Sequence, residues 1–135
     1  MEDHAKVALV TVAVLVTYLG LCVNVARTRK QCGISAPATT GDPRLERAIR
    51  IHYNTLEWLP VFLAAMWLFA IYWYDWVAAG LGLVWIAGRL IYAVGYMAAP
   101  SKRAPGFLIQ ALATLVLLFG AAGRLIWLLA TGVAV

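Results

Sequence analysis

This chain is short of charge. Charged residues make up 13% of its 135 positions, about half the share of an ordinary soluble domain, which runs near 25%. Acidic residues are scarcer still, six Asp and Glu against eleven Lys and Arg. With 64% of positions hydrophobic, a soluble globular domain is excluded, and the composition is that of an α-helical membrane protein. Cysteine is nearly absent. Cys22 and Cys32 do not form a C-x-x-C pair, which argues against a disulfide-exchanging oxidoreductase and leaves two free thiols. The first apolar run, Val7 to Ala26, contains no carboxylate, so the acid that small four-helix drug transporters need in that helix is missing. The start, Met-Glu-Asp-His, lacks a basic n-region and no A-x-A site follows the first run, so no cleavable signal peptide is expected. No His/Cys/Asp/Glu grouping with metal-ligand spacing stands out, and no metal is expected.

What is present is four apolar runs of spanning length. They predict an all-α integral membrane protein, a bundle of four transmembrane helices over about 7–29, 44–74, 76–98 and 105–131, in one domain covering 1–135. The connection from Arg27 to Pro43 is the longest, with Gly33, Pro37, Gly41 and Pro43 as breakers. Eight basic residues (Arg27, Arg29, Lys30, Arg44, Arg47, Arg50, Lys102 and Arg103) lie at the first and third connections. Four spans put those connections on the same side. The positive-inside rule makes that side cytoplasmic and places both termini on the other face. The net charge of +5 is accounted for by topology and anionic lipid, so nucleic acid is not an expected partner.

Polar residues interrupt this pattern in two places. Arg47, Arg50, Asn54 and Glu57 open the second helix and at helical spacing share a face within roughly 80° of arc. Arg89, Tyr92 and Tyr96 share a face of the third helix within roughly 60°. Arg103 follows at the mouth of that face. Ionisable groups at membrane depth are costly and mark pathways or polar ligands. Arg89, two turns inside the third helix, is expected to pair with Glu57 or another carboxylate at its depth. Guanidiniums fork onto carboxylates, Glu57 suits an ammonium, and Asn54 and the tyrosines suit amides. A further arginine would hold a thiolate. Glutathione, a cytosolic compound with two carboxylates, an ammonium, two amides and a thiol, uses the whole set. A phospholipid headgroup or an acidic peptide would use part of it.

The run E-R-x-x-R-x-x-x-N-x-x-E-x-x-P, here Glu46, Arg47, Arg50, Asn54, Glu57 and Pro60, resembles the signature of the MAPEG superfamily, the membrane-associated proteins in eicosanoid and glutathione metabolism. The pattern R-x-x-Y-x-x-x-Y at Arg89, Tyr92 and Tyr96, followed by Arg103, is similar to its leukotriene-synthase and microsomal glutathione S-transferase branch, as are Thr39-Thr40-Gly41 and the basic pair Arg29 and Lys30. The resemblance implies a homotrimer that binds glutathione between subunits. It assigns Arg50, Asn54, Glu57, Tyr92 and Tyr96 to glutathione from one subunit, and Arg29 and His52 to it from the neighbour. Arg103 would be the catalytic arginine beside the thiolate, with Arg47, Arg89, Lys30 and Trp58 supporting. The implied activity is glutathione transfer to an apolar electrophile, or glutathione-dependent peroxidase reduction of a lipid hydroperoxide. The alternative is a non-catalytic lipid-binding or scaffold member of the family. Three positions depart from the branch. Trp58 replaces a tyrosine and loses a hydroxyl, His52 replaces a glutamine, and Lys30 replaces an arginine and loses its bidentate fork. With an acidic start and no organelle-retention signal, a bacterial inner membrane is the expected location.

Overall fold

The computed structural model describes residues 4–133. Residues 1–3 and 134–135, which the sequence reading assigns to the same domain, lie outside the described residues. The described residues form four helices and one short 3₁₀ turn. They are α1 (Ala5–Cys32), α2 (Pro43–Tyr72), α3 (Asp75–Ala98), the 3₁₀ turn (Pro100–Arg103) and α4 (Ala104–Thr131). Each α-helix is long and apolar enough to cross a membrane. At about 1.5 Å per residue the shortest, α3, already exceeds the roughly 30 Å of a hydrocarbon core. The protein is an integral membrane protein.

Local chemistry sets the ends. α1 runs past the expected boundary to Cys32 and stops at Gly33, whose φ of 67° reverses the chain and whose N–H bonds the Arg29 carbonyl. Asp42 caps α2 by accepting from the Arg44 N–H at 2.8 Å, with Pro43 in the first turn. The Arg44 guanidinium also donates to both Asp42 oxygens, at 3.2 and 2.9 Å, and these bonds hold the Asp42 carboxyl well below the usual carboxylate range. Glu46 reaches back to the Gly41 N–H at 3.2 Å. Trp73 and Tyr74 form the turn between α2 and α3, so α2 ends two residues short of the expected position. Asp75, the first residue of α3, accepts from the Val7 N–H at 3.4 Å and ties the start of α1 to this turn. Ala99 is extended, as a residue preceding proline must be, and ends α3.

α2 and α3 are central. Each packs against the other three helices, while α1 and α4 lie outermost. Phe62 of α2 and Trp85 of α3 stack in the core with centroids 4.2 Å apart, surrounded by Val7, Val14, Met66 and Leu117. α3 and α4 approach most closely at two glycines. A methyl on Gly88 would stand 2.8 Å from the Gln110 backbone nitrogen, and one on Gly106 would run into the Tyr92 nitrogen and the Gly88 carbonyl. This crossing brings the start of α4 against the end of α3. Large apolar side chains such as Leu9, Val16, Leu19, Val94, Phe119 and Leu129 point outward, as expected of a surface that meets lipid or another copy of the chain.

Candidate functional site

The site is built at the end of the bundle where α2 begins and α3 ends. On α2, the 3.6-residue period stacks Arg50, Asn54 and Glu57 along one line. Arg50 Nη1 donates to Glu57 Oε1 at 3.1 Å, and both side chains are about half exposed. Asn54 is buried. Its Nδ2 lies 3.4 Å from Glu57 Oε2, and its Oδ1 accepts from Arg89 Nη1 of α3 at 2.8 Å. The expectation that Arg89 meets a carboxylate is therefore corrected. The amide of Asn54 stands between cation and acid, and Glu57 is taken by Arg50. The reason is depth: Glu57 remains half exposed whereas Arg89 is 0% exposed.

α3 contributes Tyr92 and Tyr96, both buried, with ring centroids 5.7 Å apart. Arg103, exposed at the end of the 3₁₀ turn, lies over the Tyr96 ring at 5.4 Å and points Nη1 at its hydroxyl, 3.4 Å away. A cavity of about 500 Å³ opens among Arg50, Asn54, Tyr92, Arg103, Ala104, Phe107 and Leu108. One side presents guanidiniums, a carboxamide and a phenol. The other is the first turn of α4, apolar, with Phe107 set edge-on against Trp58 at 5.5 Å and tilted against Tyr92 at 6.2 Å. Glu57 and Tyr96 adjoin this cavity through Arg50, Asn54 and Arg103.

Arg29 and His52 lie elsewhere. They line a second cavity of about 250 Å³ between α1 and α2, with Cys22, Val25, Ala26, Ile49 and Tyr53. Arg29 Nη1 donates to the Ala38 carbonyl at 2.6 Å, and the His52 ring stacks on Tyr18 at 4.8 Å. Lys30 is exposed, and Arg47 is half-buried with its Nε unpaired among the described residues. Neither lines a cavity named above. Both cysteines are free thiols. Arg124 donates to the Tyr72 carbonyl at 3.2 Å and stacks over Trp127 at 4.5 Å, so it packs against the end of α2. No cluster of three His, Cys, Asp or Glu that could hold a metal is present among the described residues.

Sequence reasoning did not find Ala104, Phe107 and Leu108. They are ordinary apolar residues in an apolar run, and only the crossing of α4 over α3 gives them a role. It also passed over Gln110, which is fully buried; an amide inside an uncharged span was the available signal.

The chain is similar to known proteins. The chain is 46% identical over 120 residues to an uncharacterized protein of Synechocystis sp., covering 89% of this chain and 88% of that one. It is 37% identical over 108 residues to human microsomal glutathione S-transferase 2, covering 79% and 72%. It is 36% identical over 125 residues to leukotriene C4 synthase of Cavia porcellus, covering 87% and 83%. The MAPEG family model matches residues 7–123, which takes in α2 and α3 whole, most of α1 and α4, and every residue of the cavity between α2, α3 and α4, and the chain belongs to the MAPEG family.

Proposed function

We propose that this protein is a membrane-bound glutathione S-transferase that conjugates apolar electrophiles, and reduces lipid hydroperoxides, at the cytoplasmic half of a bacterial inner membrane. The observation that carries the reading is the two-sided cavity, with Arg50, Asn54, Tyr92 and Arg103 on one side and Ala104, Phe107 and Leu108 on the other. A soluble, charged thiol and an apolar acceptor can meet only where both kinds of lining share one space. Relatives named for glutathione transfer and leukotriene C4 synthesis support the substrate class.

In this reading Arg50 binds a glutathione carboxylate, Glu57 the ammonium, and Asn54, Tyr92 and Tyr96 the peptide amides. Arg103 stands beside the sulfur and favours the thiolate. The thiolate attacks the electrophilic carbon, a C–S bond forms, and the leaving group departs with the electron pair. With a hydroperoxide the thiolate attacks the distal oxygen and the O–O bond breaks. The alkoxide takes a proton, and a second glutathione converts the sulfenic acid to disulfide and water. Arg29 and His52 line a different cavity from Arg50, which agrees with their reaching glutathione from a second copy of the chain. The reading also takes from the family resemblance that the assembly is a homotrimer, and from the positive-inside rule that both termini lie on the non-cytoplasmic side.

Purified protein would be titrated with glutathione by calorimetry, then assayed with chlorodinitrobenzene and with a lipid hydroperoxide. Saturable heat and glutathione-dependent turnover are expected. Saturable glutathione binding with no turnover on a broad electrophile panel would refute the enzyme reading. No binding at all would favour a lipid-binding or scaffold role.

A further inference from the structure

Arg89 is a buried cation to which the proposed chemistry gives no task. It is fully buried and takes part in no salt bridge among the described residues. Its guanidinium rests against the Trp85 and Tyr92 rings, 5.4 and 5.1 Å from their centroids, and Nε and Nη2 have no hydrogen-bond partner among the described residues. Its one side-chain hydrogen bond among the described residues, 2.8 Å to Asn54 Oδ1, goes to a residue that lines the cavity. A buried charge held by a single amide is a poor device for stability. It is an effective one for orientation.

A carboxamide has a donor end and an acceptor end, and its two orientations are ordinarily close in energy. Here the neighbours choose between them. Arginine has only donors, so the oxygen of Asn54 must face Arg89. Ionised Glu57 has only acceptors, so the nitrogen must face Glu57, 3.4 Å away. Rotating the amide by half a turn would set its NH2 against a guanidinium and its oxygen against a carboxylate. The orientation thus follows from the chemistry of the flanking groups. It also decides what the ligand meets. With the oxygen turned to Arg89 and one N–H to Glu57, the second N–H is the donor Asn54 has left for a ligand.

We propose that Arg89 is a positioning residue. It acts through Asn54, fixing the carboxamide with its NH2 toward the cavity and Glu57, so that the site selects a ligand acceptor group, a peptide carbonyl or a carboxylate. The ligand part of this inference rests on the glutathione reading; the orientation part does not.

The chain contains two asparagines, Asn24 and Asn54, so labelling with ¹⁵N-asparagine yields two side-chain amide signals. Asn54→Ala identifies which belongs to Asn54. In the wild-type protein the Asn54 pair should be shifted from free-amide values by its bonds to Arg89 and Glu57. A pair at free-amide values would overturn the proposal without any variant being made. Arg89→Met should release the pair toward free-amide behaviour, and Arg89→Lys, which keeps the charge, should largely restore it. An Asn54 signal unmoved in folded Arg89→Met would equally overturn it. Glutathione affinity supplies the second arm. Arg89→Met should weaken binding about 10-fold in the wild-type background and less than about 2-fold in the Asn54→Ala background, because the effect passes through Asn54. Equal losses in both backgrounds would make Arg89 merely structural and refute the proposal. If the wild-type protein binds no glutathione, the function falls, and the amide signals still decide the positioning.

Discussion

Replacing Arg103 with alanine removes the cation assigned to the sulfur while leaving Arg50, Asn54 and Tyr92 around the cavity. A free thiol of this kind ionises near pH 8.5. An opposite charge within about 4–6 Å lowers an acid's pKa by about 1–3 units. Arg103 is exposed and stands at the cavity mouth beside Tyr96, so solvent screening places the effect near the lower half of that range, about 1.5 units. The bound thiol then ionises near pH 7 in the wild type and near pH 8.5 in Arg103→Ala. At about pH 6.5 the thiolate fractions are about 0.24 and 0.01, a loss of about 25-fold in turnover; at about pH 9 they differ by less than about 2-fold. The sign follows from charge: a cation stabilises the deprotonated form, so its removal is felt below the thiol's pKa and disappears above it. The assay is kcat against pH with chlorodinitrobenzene at saturating glutathione. Ultraviolet absorbance of the thiolate in the glutathione complex, with glutathione affinity measured alongside, reports the ionisation directly. A loss of the same size at pH 6.5 and pH 9 would show that Arg103 acts through geometry, and unchanged turnover would reduce it to a loop cation.

Other perturbations separate the remaining roles. Glu57→Gln should weaken glutathione binding about 10- to 100-fold, as expected for a charge-assisted bond to an ammonium; unchanged affinity by calorimetry would return Glu57 to pairing with Arg50 alone. Arg29→Ala and Arg50→Ala should each be inactive alone. Co-expressed, they should recover about one quarter of wild-type activity, because random mixing restores that share of sites shared between subunits; no recovery would place both groups in one subunit's site or remove the trimer. Gly106→Ala should lose about 1–3 kcal/mol or more, since the added methyl meets the Tyr92 nitrogen and the Gly88 carbonyl rather than a yielding side chain. Thermal unfolding in detergent reads this loss, and a wild-type midpoint would refute so close a crossing. The Asp42 carboxyl is held below its usual range by Arg44, so its contribution is full above an unfolded pKa of about 3.9 and fades as pH falls further. Asp42→Asn should therefore unfold earlier than wild type near pH 7, with the gap narrowing below about pH 4.

Sequence alone determined what is local. The length of the apolar runs set four spans, because the hydrocarbon thickness fixes how many residues cross it. Helical period placed Arg50, Asn54 and Glu57 in line on α2, and Tyr92 and Tyr96 in line on α3, with no partner needed. Breakers and caps (Gly33, Asp42, Pro43 and Pro100) ended the helices close to where their chemistry requires. Which side chains meet across helices was not legible in this way. Arg89 could be seen to need a partner, but depth and crossing angle gave it the Asn54 oxygen and left Glu57 to Arg50. The apolar wall of the cavity exists only because Gly88 and Gly106 let α4 lie close against α3, which carries Phe107 to Tyr92 and Trp58. Periodicity is a property of one helix and is written in its own residues. Contact between helices depends on how closely their backbones approach, and for these residues only the folded bundle fixes that distance.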